Sequence, residues 1–139
     1  MTKKYKVLGK FIKDMSSETK DVETYLFVKD RITKYKLDIN ISSIALKDKI
    51  IGVSTTLNFE DKEEVNKKSY FEITFTTIVR VEDKIEKKEL ERIILCDVQE
   101  EIRPELEKAF LDMLNNSGYI GINFEKKIDF EKLYKQRIN

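Results

Sequence analysis

Histidine is absent from this chain of 139 residues, so the commonest general base at neutral pH is missing. Without imidazole there is no Ser-His-Asp or Cys-His catalysis, no His-containing zinc site and no switch near pH 7. The one cysteine, Cys96, can form neither an internal disulfide nor a multi-thiolate metal site, and it reads as a small apolar residue on a helix. A chain without disulfides fits a reducing compartment. Carboxylates are plentiful, but Asp14, Glu18 and Asp21 lack the spacing of a calcium loop and read as surface charge. Glu101 and Glu105 form only a like-charged i, i+4 pair on the exposed side of a helix. The four glycines, Gly9, Gly52, Gly118 and Gly121, match neither phosphate-binding loop pattern. We therefore expect no catalytic residue, no metal and no cofactor.

Charge and length narrow the reading further. The 27 Lys and Arg against 26 Asp and Glu leave +1, with 38% charged and 40% hydrophobic residues, so the chain should fold as one soluble domain over 1–139. The balance is uneven along the chain: residues 1–20 hold six Lys and two acids, net +4, and residues 82–112 hold eleven acids and six bases, net −5. A solvated helix face accounts for the second block. No window is apolar enough to insert in a membrane, and the lysine-rich start does not lead into a signal-peptide core, which makes the cytoplasm the default location. The aromatic strand Lys68 to Phe75 matches an RNA-stacking strand at Tyr70, Ile73 and Phe75. It fails at Phe71 and at Glu72, which puts an anion where a base would stack, so no nucleic acid is expected.

The elements that would position any site follow from periodicity. Tyr35, Leu37, Ile39 and Ile41 alternate with Lys36, Asp38 and Asn40, as on a half-buried strand. Ile51, Val53, Thr55, Leu57 and Phe59 repeat the pattern over 50–59, and Phe71 to Val81 repeat it over 70–81, with a charged hairpin loop at 60–68. Residues 5–13, with Tyr5, Val7 and Phe11 facing one way, make a first strand. Tyr25, Leu26, Phe27 and Val28 between strands one and two are consistent with a core plug, an edge strand or an exposed patch. From residue 83 the period changes: Leu90, Ile94, Val98, Ile102, Leu106, Phe110 and Leu114 fall every fourth residue, forming one long helix or two in line. Pro104 predicts a kink or fresh start near 100–104. Ser117-Gly118 supplies the stop, and Asp129 caps a short helix over 130–137 anchored by Leu133. Strands followed by helices mean an α+β fold, a four-stranded antiparallel sheet with a long kinked helix and a short C-terminal one.

Several strings in this order resemble the SecB export-chaperone family. Ile12 to Glu18, IKDMSSE, is similar to that family's first-strand segment, and Tyr35 to Ser43, YKLDINISS, to its second strand. Arg103-Pro104-Glu105 stands at the family's helix bend, Ser117-Gly118-Tyr119 opens its connecting loop, and Ile128 to Arg137, IDFEKLYKQR, resembles its ending. The match spans nearly the whole chain. Thr76-Thr77 replaces a Gly-Gly pair, and the near-neutral charge departs from the acidic family norm.

The resemblance implies an ATP-independent holdase for unfolded preprotein or other non-native polypeptide, built as a homotetramer, a dimer of dimers. A sheet with one long helix leaves much apolar surface on 16.5 kDa, and self-association is the ordinary way to cover it. By resemblance the client groove lies beside the loop joining the helices, which makes Tyr119, Ile120, Ile122 and Phe124 the client-binding candidates. Leu133 and Tyr134, with Tyr25, Leu26, Phe27 and Val28, are further candidates. All of these could instead fill the protomer core. Asp14, Glu18 and Glu72 match positions at which the family docks the translocation ATPase SecA. A SecB-like chaperone serving a toxin-antitoxin pair and a non-chaperone interaction module remain open alternatives.

Overall fold

A computed structural model describes residues 4–122 of the chain. Four strands, β1 (Tyr5–Glu18), β2 (Lys36–Ala45), β3 (Ile50–Glu60) and β4 (Tyr70–Val81), form one antiparallel sheet in the order β1-β4-β3-β2. The period-2 alternation sends Phe71, Ile73, Phe75, Val79 and Val81 of β4, with Ile51, Val53, Leu57 and Phe59 of β3, into the core. Their alternates form the outer sheet face, where Ser54 and Thr76 share a hydrogen bond of 3.0 Å and Thr56 and Thr74 one of 2.9 Å. Such cross-strand hydroxyl pairs stabilise a solvated face.

β1 runs to Glu18 instead of stopping at 13, and its side chains do not keep one parity. Register shifts between Val7 and Gly9 and between Ile12 and Asp14 each insert an extra residue. An inserted residue swaps the faces. Phe11 is therefore opposite Thr76, on the outer face, whereas the alternation put it on the same side as Tyr5 and Val7, which lie opposite the buried Val81 and Val79. Ile12 and Met15 then fall opposite Phe75 and Ile73, on the inner face. Both stay exposed, at 44% and 53%.

The unreadable segment is a helix, α1 (Val22–Lys29). Asp21 starts it by accepting the Thr24 amide at 2.8 Å, and a cation, Lys29, closes its last turn. Apolar residues on several sides hide its period, so no helical stripe is legible there. A 3₁₀ turn over Ile32–Lys34 leads into β2.

The long helical stretch comprises α2 (Lys87–Arg92), a π-helical turn (Ile93–Asp97) and α3 (Val98–Asn116). α3 passes through Pro104 without ending, so the break that Pro104 predicted lies earlier, at the π turn. Residues four apart drift by ~40° per step on an α-helix, so a strict fourfold repeat spirals away from the sheet. A wider turn rotates the stripe back. Gln99, fully buried, fixes that turn: its Oε1 accepts from Thr55 Oγ1 at 2.6 Å and its Nε2 donates to Ile94 O at 3.0 Å. Ile102, Leu106, Phe110 and Leu114 are then all within 1% of full burial. Each contributes about 1.5–3 kcal/mol of transfer free energy. The short helix expected over 130–137 lies outside the described residues.

Candidate functional site

α3 ends in a Schellman motif. The Tyr119 amide bonds Leu114 O at 3.0 Å and the Gly118 amide bonds Asn115 O at 3.1 Å, with Gly118 at φ 96°. A Cβ on Gly118 would stand 2.9 Å from Tyr25 Cε1, so glycine is required both by the backbone and by the close approach of α1.

Three remote segments grip this exit. Tyr25 Oη donates to Gly118 O at 2.7 Å, and the Tyr25 and Tyr119 rings lie 5.2 Å apart. Tyr119 Oη is 3.0 Å from Thr19 Oγ1 and 2.9 Å from Ser69 Oγ, which are 2.7 Å from one another. The Ser69 amide donates to Tyr35 Oη at 3.0 Å, and burial pushes the Tyr35 phenol above its ordinary pKa. Ser117 Oγ donates to Met113 O, so it accepts from Ser17 Oγ at 2.5 Å. The end of β1, α1 and the β3–β4 loop thus hold the start of the segment that follows α3.

This geometry divides the client candidates. Tyr119, 3% exposed and edge-on to Phe71 at 5.3 Å, is a core residue, as is Val28 at 0%. Neither offers surface in the protomer, because hydroxyl partners and packing hold them inward. Ile120 is 83% exposed, Leu26 56% and Phe27 39%, and the Arg31 guanidinium sits 5.6 Å from the Phe27 ring centre. Tyr25 is half-buried, and Ile122, also half-buried, packs against the core. Phe124, Leu133 and Tyr134 lie outside the described residues. Sequence reasoning missed Val22, 74% exposed on α1, and Leu8 at 41% on β1. Val22 interrupts a polar stretch, which is a weak signal, and Leu8 adjoins Val7 at the first register shift of β1, which no sequence pattern marks.

The structure places Asp14, Glu18 and Glu72 on the outer face, opposite Thr74, Tyr70 and Ser16 respectively. A shallow cleft of about 240 Å³ is lined there by Ser16, Glu18, Asn58, Glu60, Tyr70 and Glu72 among others. Its three carboxylates suit a cationic partner. Glu60 is shared with Lys62, whose pKa is pushed up to about 12 by its bonds to Asp38 and Glu60. Glu105, read as one of an idle pair, accepts from Lys10 at 2.6 Å and ties α3 to β1. No cluster of metal-ligating side chains occurs among the described residues, and no helix there is long and apolar enough to cross a membrane.

Comparison with known proteins agrees with this architecture. A SecB-like chaperone from Mycobacterium tuberculosis, solved with a ChAD peptide from the HigA1 antitoxin, superposes with a TM-score of 0.63. That match covers 89% of this chain and 91% of the other at 10% identity, which establishes a shared fold. A Pelagibacter ubique (strain HTCC1062) protein named "Putative protein-export protein SecB" is 60% identical over 140 residues, covering 100% of both chains. The family described as preprotein translocase subunit SecB matches residues 1–139. With that full-length match and that degree of identity, the chain belongs to the SecB family.

Proposed function

We propose that the protein is an ATP-independent holdase that keeps preproteins unfolded for export. The observation that carries this reading is the exposed apolar set Val22, Leu26, Phe27 and Ile120, borne by two segments that meet at the Tyr25–Gly118–Tyr119 contact. A holdase needs accessible apolar surface on a firm frame and no catalytic group. The hydroxyl network supplies the frame. Ile122, Phe124, Leu133 and Tyr134 extend the proposed client surface along the chain.

The edge strand β1 supports self-association. Leu8, Phe11, Ile12 and Met15 are all exposed on it, on both faces of the sheet. An unpaired edge with apolar groups on both faces suits pairing with a second copy, and a dimer of dimers follows the family reading. The acids Asp14, Glu18 and Glu72 fit docking of a cationic surface of the SecA ATPase in the cytoplasm. The relative at 60% identity carries a protein-export name, which favours export over service to an antitoxin.

The test uses a chemically unfolded client diluted into buffer without nucleotide, with aggregation followed by light scattering. The protein should suppress scattering at micromolar protomer, and Leu26→Asp with Ile120→Asp should abolish suppression while leaving the solution mass unchanged. Normal client aggregation in the presence of the parent protein would remove the holdase reading.

A further inference from the structure

One end of the outer sheet face carries a surface that neither client holding nor carboxylate docking uses. There Lys6 of β1 is directly opposite Arg80 of β4, which is opposite Ile50 of β3. In the next row Gly9, Ile78, Gly52 and Ile44 follow one another across all four strands. The glycines keep this row low: Ile44 Cγ2 lies 3.3 Å from where a Gly52 Cβ would stand, and Ile78 Cδ1 4.0 Å from that of Gly9. Ile44 is 64% exposed and Leu46, whose amide bonds Ile50 O at 2.7 Å, is 55% exposed.

The β2–β3 turn adds two cations to this end. The Ile50 amide donates to Lys47 O at 3.3 Å, and both central residues, Asp48 at φ 61° and Lys49 at φ 63°, are left-handed. Glycine or asparagine is usual in the second of these positions, and a lysine there is strained. Like charges directly opposite on neighbouring strands, as Lys6 and Arg80 are, also destabilise a sheet. All four cations, Lys6, Lys47, Lys49 and Arg80, are exposed, and none is in an ion pair among the described residues. These four cations against Asp48 of the turn and Glu82 and Asp83 beside β4 leave this end of the face at net +1, with the Lys4–Glu89 pair neutral. Glu82 and Asp83, past the end of β4, bound the patch in a cleft of about 480 Å³ shared with Lys4. Lys4 pairs with Glu89, and Glu82 and Glu86 also act on it, raising its pKa.

From this juxtaposition of strained, mutually repelling cations with an exposed aliphatic row, we propose that the turn end of the outer face is a docking surface for an acidic polypeptide segment bearing aliphatic or aromatic side chains. Carboxylates of such a segment would neutralise Lys6, Lys49 and Arg80, and its apolar side chains would lie along the low row beside Ile78 and Ile44. Local strain of this kind persists where it serves a contact. The surface is distinct from the Leu26 and Ile120 region, and the proposal does not depend on the holdase reading.

The probe is a short fluorescein-labelled peptide alternating Glu with Leu and Phe, compared with the same peptide carrying Lys for Glu, both titrated into the full chain by anisotropy. The acidic peptide should bind with an affinity that falls as salt rises, and more tightly than the lysine peptide, whose binding reports the client surface alone. A variant combining Lys6→Ser, Lys49→Gly and Arg80→Thr should lose about tenfold or more in acidic-peptide affinity, since each cation removed gives up one contact charge. The same variant should melt at a higher temperature than the parent, because strain and repulsion are relieved, and it should suppress client aggregation as the parent does. Ile120→Asp should leave the preference for the acidic over the lysine peptide unchanged, so failure here and failure of the holdase reading are separable. Equal affinity of variant and parent for the acidic peptide, lysine-peptide binding as tight as that of the acidic peptide, or a lower melting temperature in the variant would each overturn the proposal. So would binding to phosphatidylglycerol vesicles without peptide binding, or a concentration-dependent mass increase that the variant abolishes.

Discussion

Replacing Gly118 with alanine tests whether the exit of α3 is the fixed point of the proposed client region. At φ 96° an alanine bears about 1–2 kcal/mol of backbone strain. Its Cβ would stand 2.9 Å from Tyr25 Cε1, so the ring must move, and the 2.7 Å bond from Tyr25 Oη to Gly118 O is lost with it. That bond adds about 1 kcal/mol, for a total of about 2–3 kcal/mol. For a chain of this length the loss corresponds to a melting temperature lower by roughly 6–12 °C. Calorimetry at fixed protomer concentration measures it, since self-association would otherwise shift the transition. Tyr25→Leu removes the clashing ring atom, so the double variant should lose about 1 kcal/mol less than the sum of the two single variants. A Gly118→Ala protein that melts within about 2 °C of the parent would refute the reasoning, because neither strain nor the ring contact would then be real.

Other outcomes follow from named contacts. Gln99→Leu removes the acceptor of Thr55 Oγ1 and the side-chain donor to Ile94 O in the core and should cost about 2–4 kcal/mol by denaturant titration, against less than 1 for an exposed control such as Glu100→Gln. Burial works to raise the Asp61 pKa, but the Glu63 amide and the Arg31 guanidinium bonded to it hold the carboxyl below its ordinary value. A carboxyl depressed in the folded state contributes stability above the unfolded pKa of about 3.9 and loses it as pH falls through the folded value. The parent's melting temperature should therefore fall more steeply than that of Asp61→Asn below about pH 4. If the proposed docking of the SecA ATPase on this face holds, Glu72→Lys together with Glu18→Lys should weaken it, measured by interferometry, more at low salt than at high salt, and leave the proposed client holding intact.

Part of the candidate site was legible and part was not. Ile120 became a candidate through the resemblance to the SecB connecting loop, and the structure shows it exposed. Tyr119 beside it could not be separated from it. Its burial depends on Thr19 and Ser69, 100 and 50 residues away, and no local pattern announces partners at that range. The run Tyr25 to Val28 had no period to assign, since a short helix apolar on several sides shows no stripe. Asp21 three residues before Thr24 was the one cue to a helix start there, and packing against the core is what buries Val28 and leaves Leu26 exposed.

The absence of histidine and a lone cysteine excluded imidazole catalysis and an internal disulfide, while strand alternation and the fourfold apolar repeat determined the α+β class and the order of the four strands and the long helix. These follow from residue type and spacing, which act locally. Tertiary structure alone decided which side of the sheet Phe11 occupies, where the long helix changes pitch and which of two adjacent residues, Tyr119 or Ile120, meets solvent. A bulge reverses strand parity, a buried amide bonded to a remote hydroxyl fixes helix register, and hydroxyls from distant segments draw one ring inward; each depends on partners that sequence proximity does not supply.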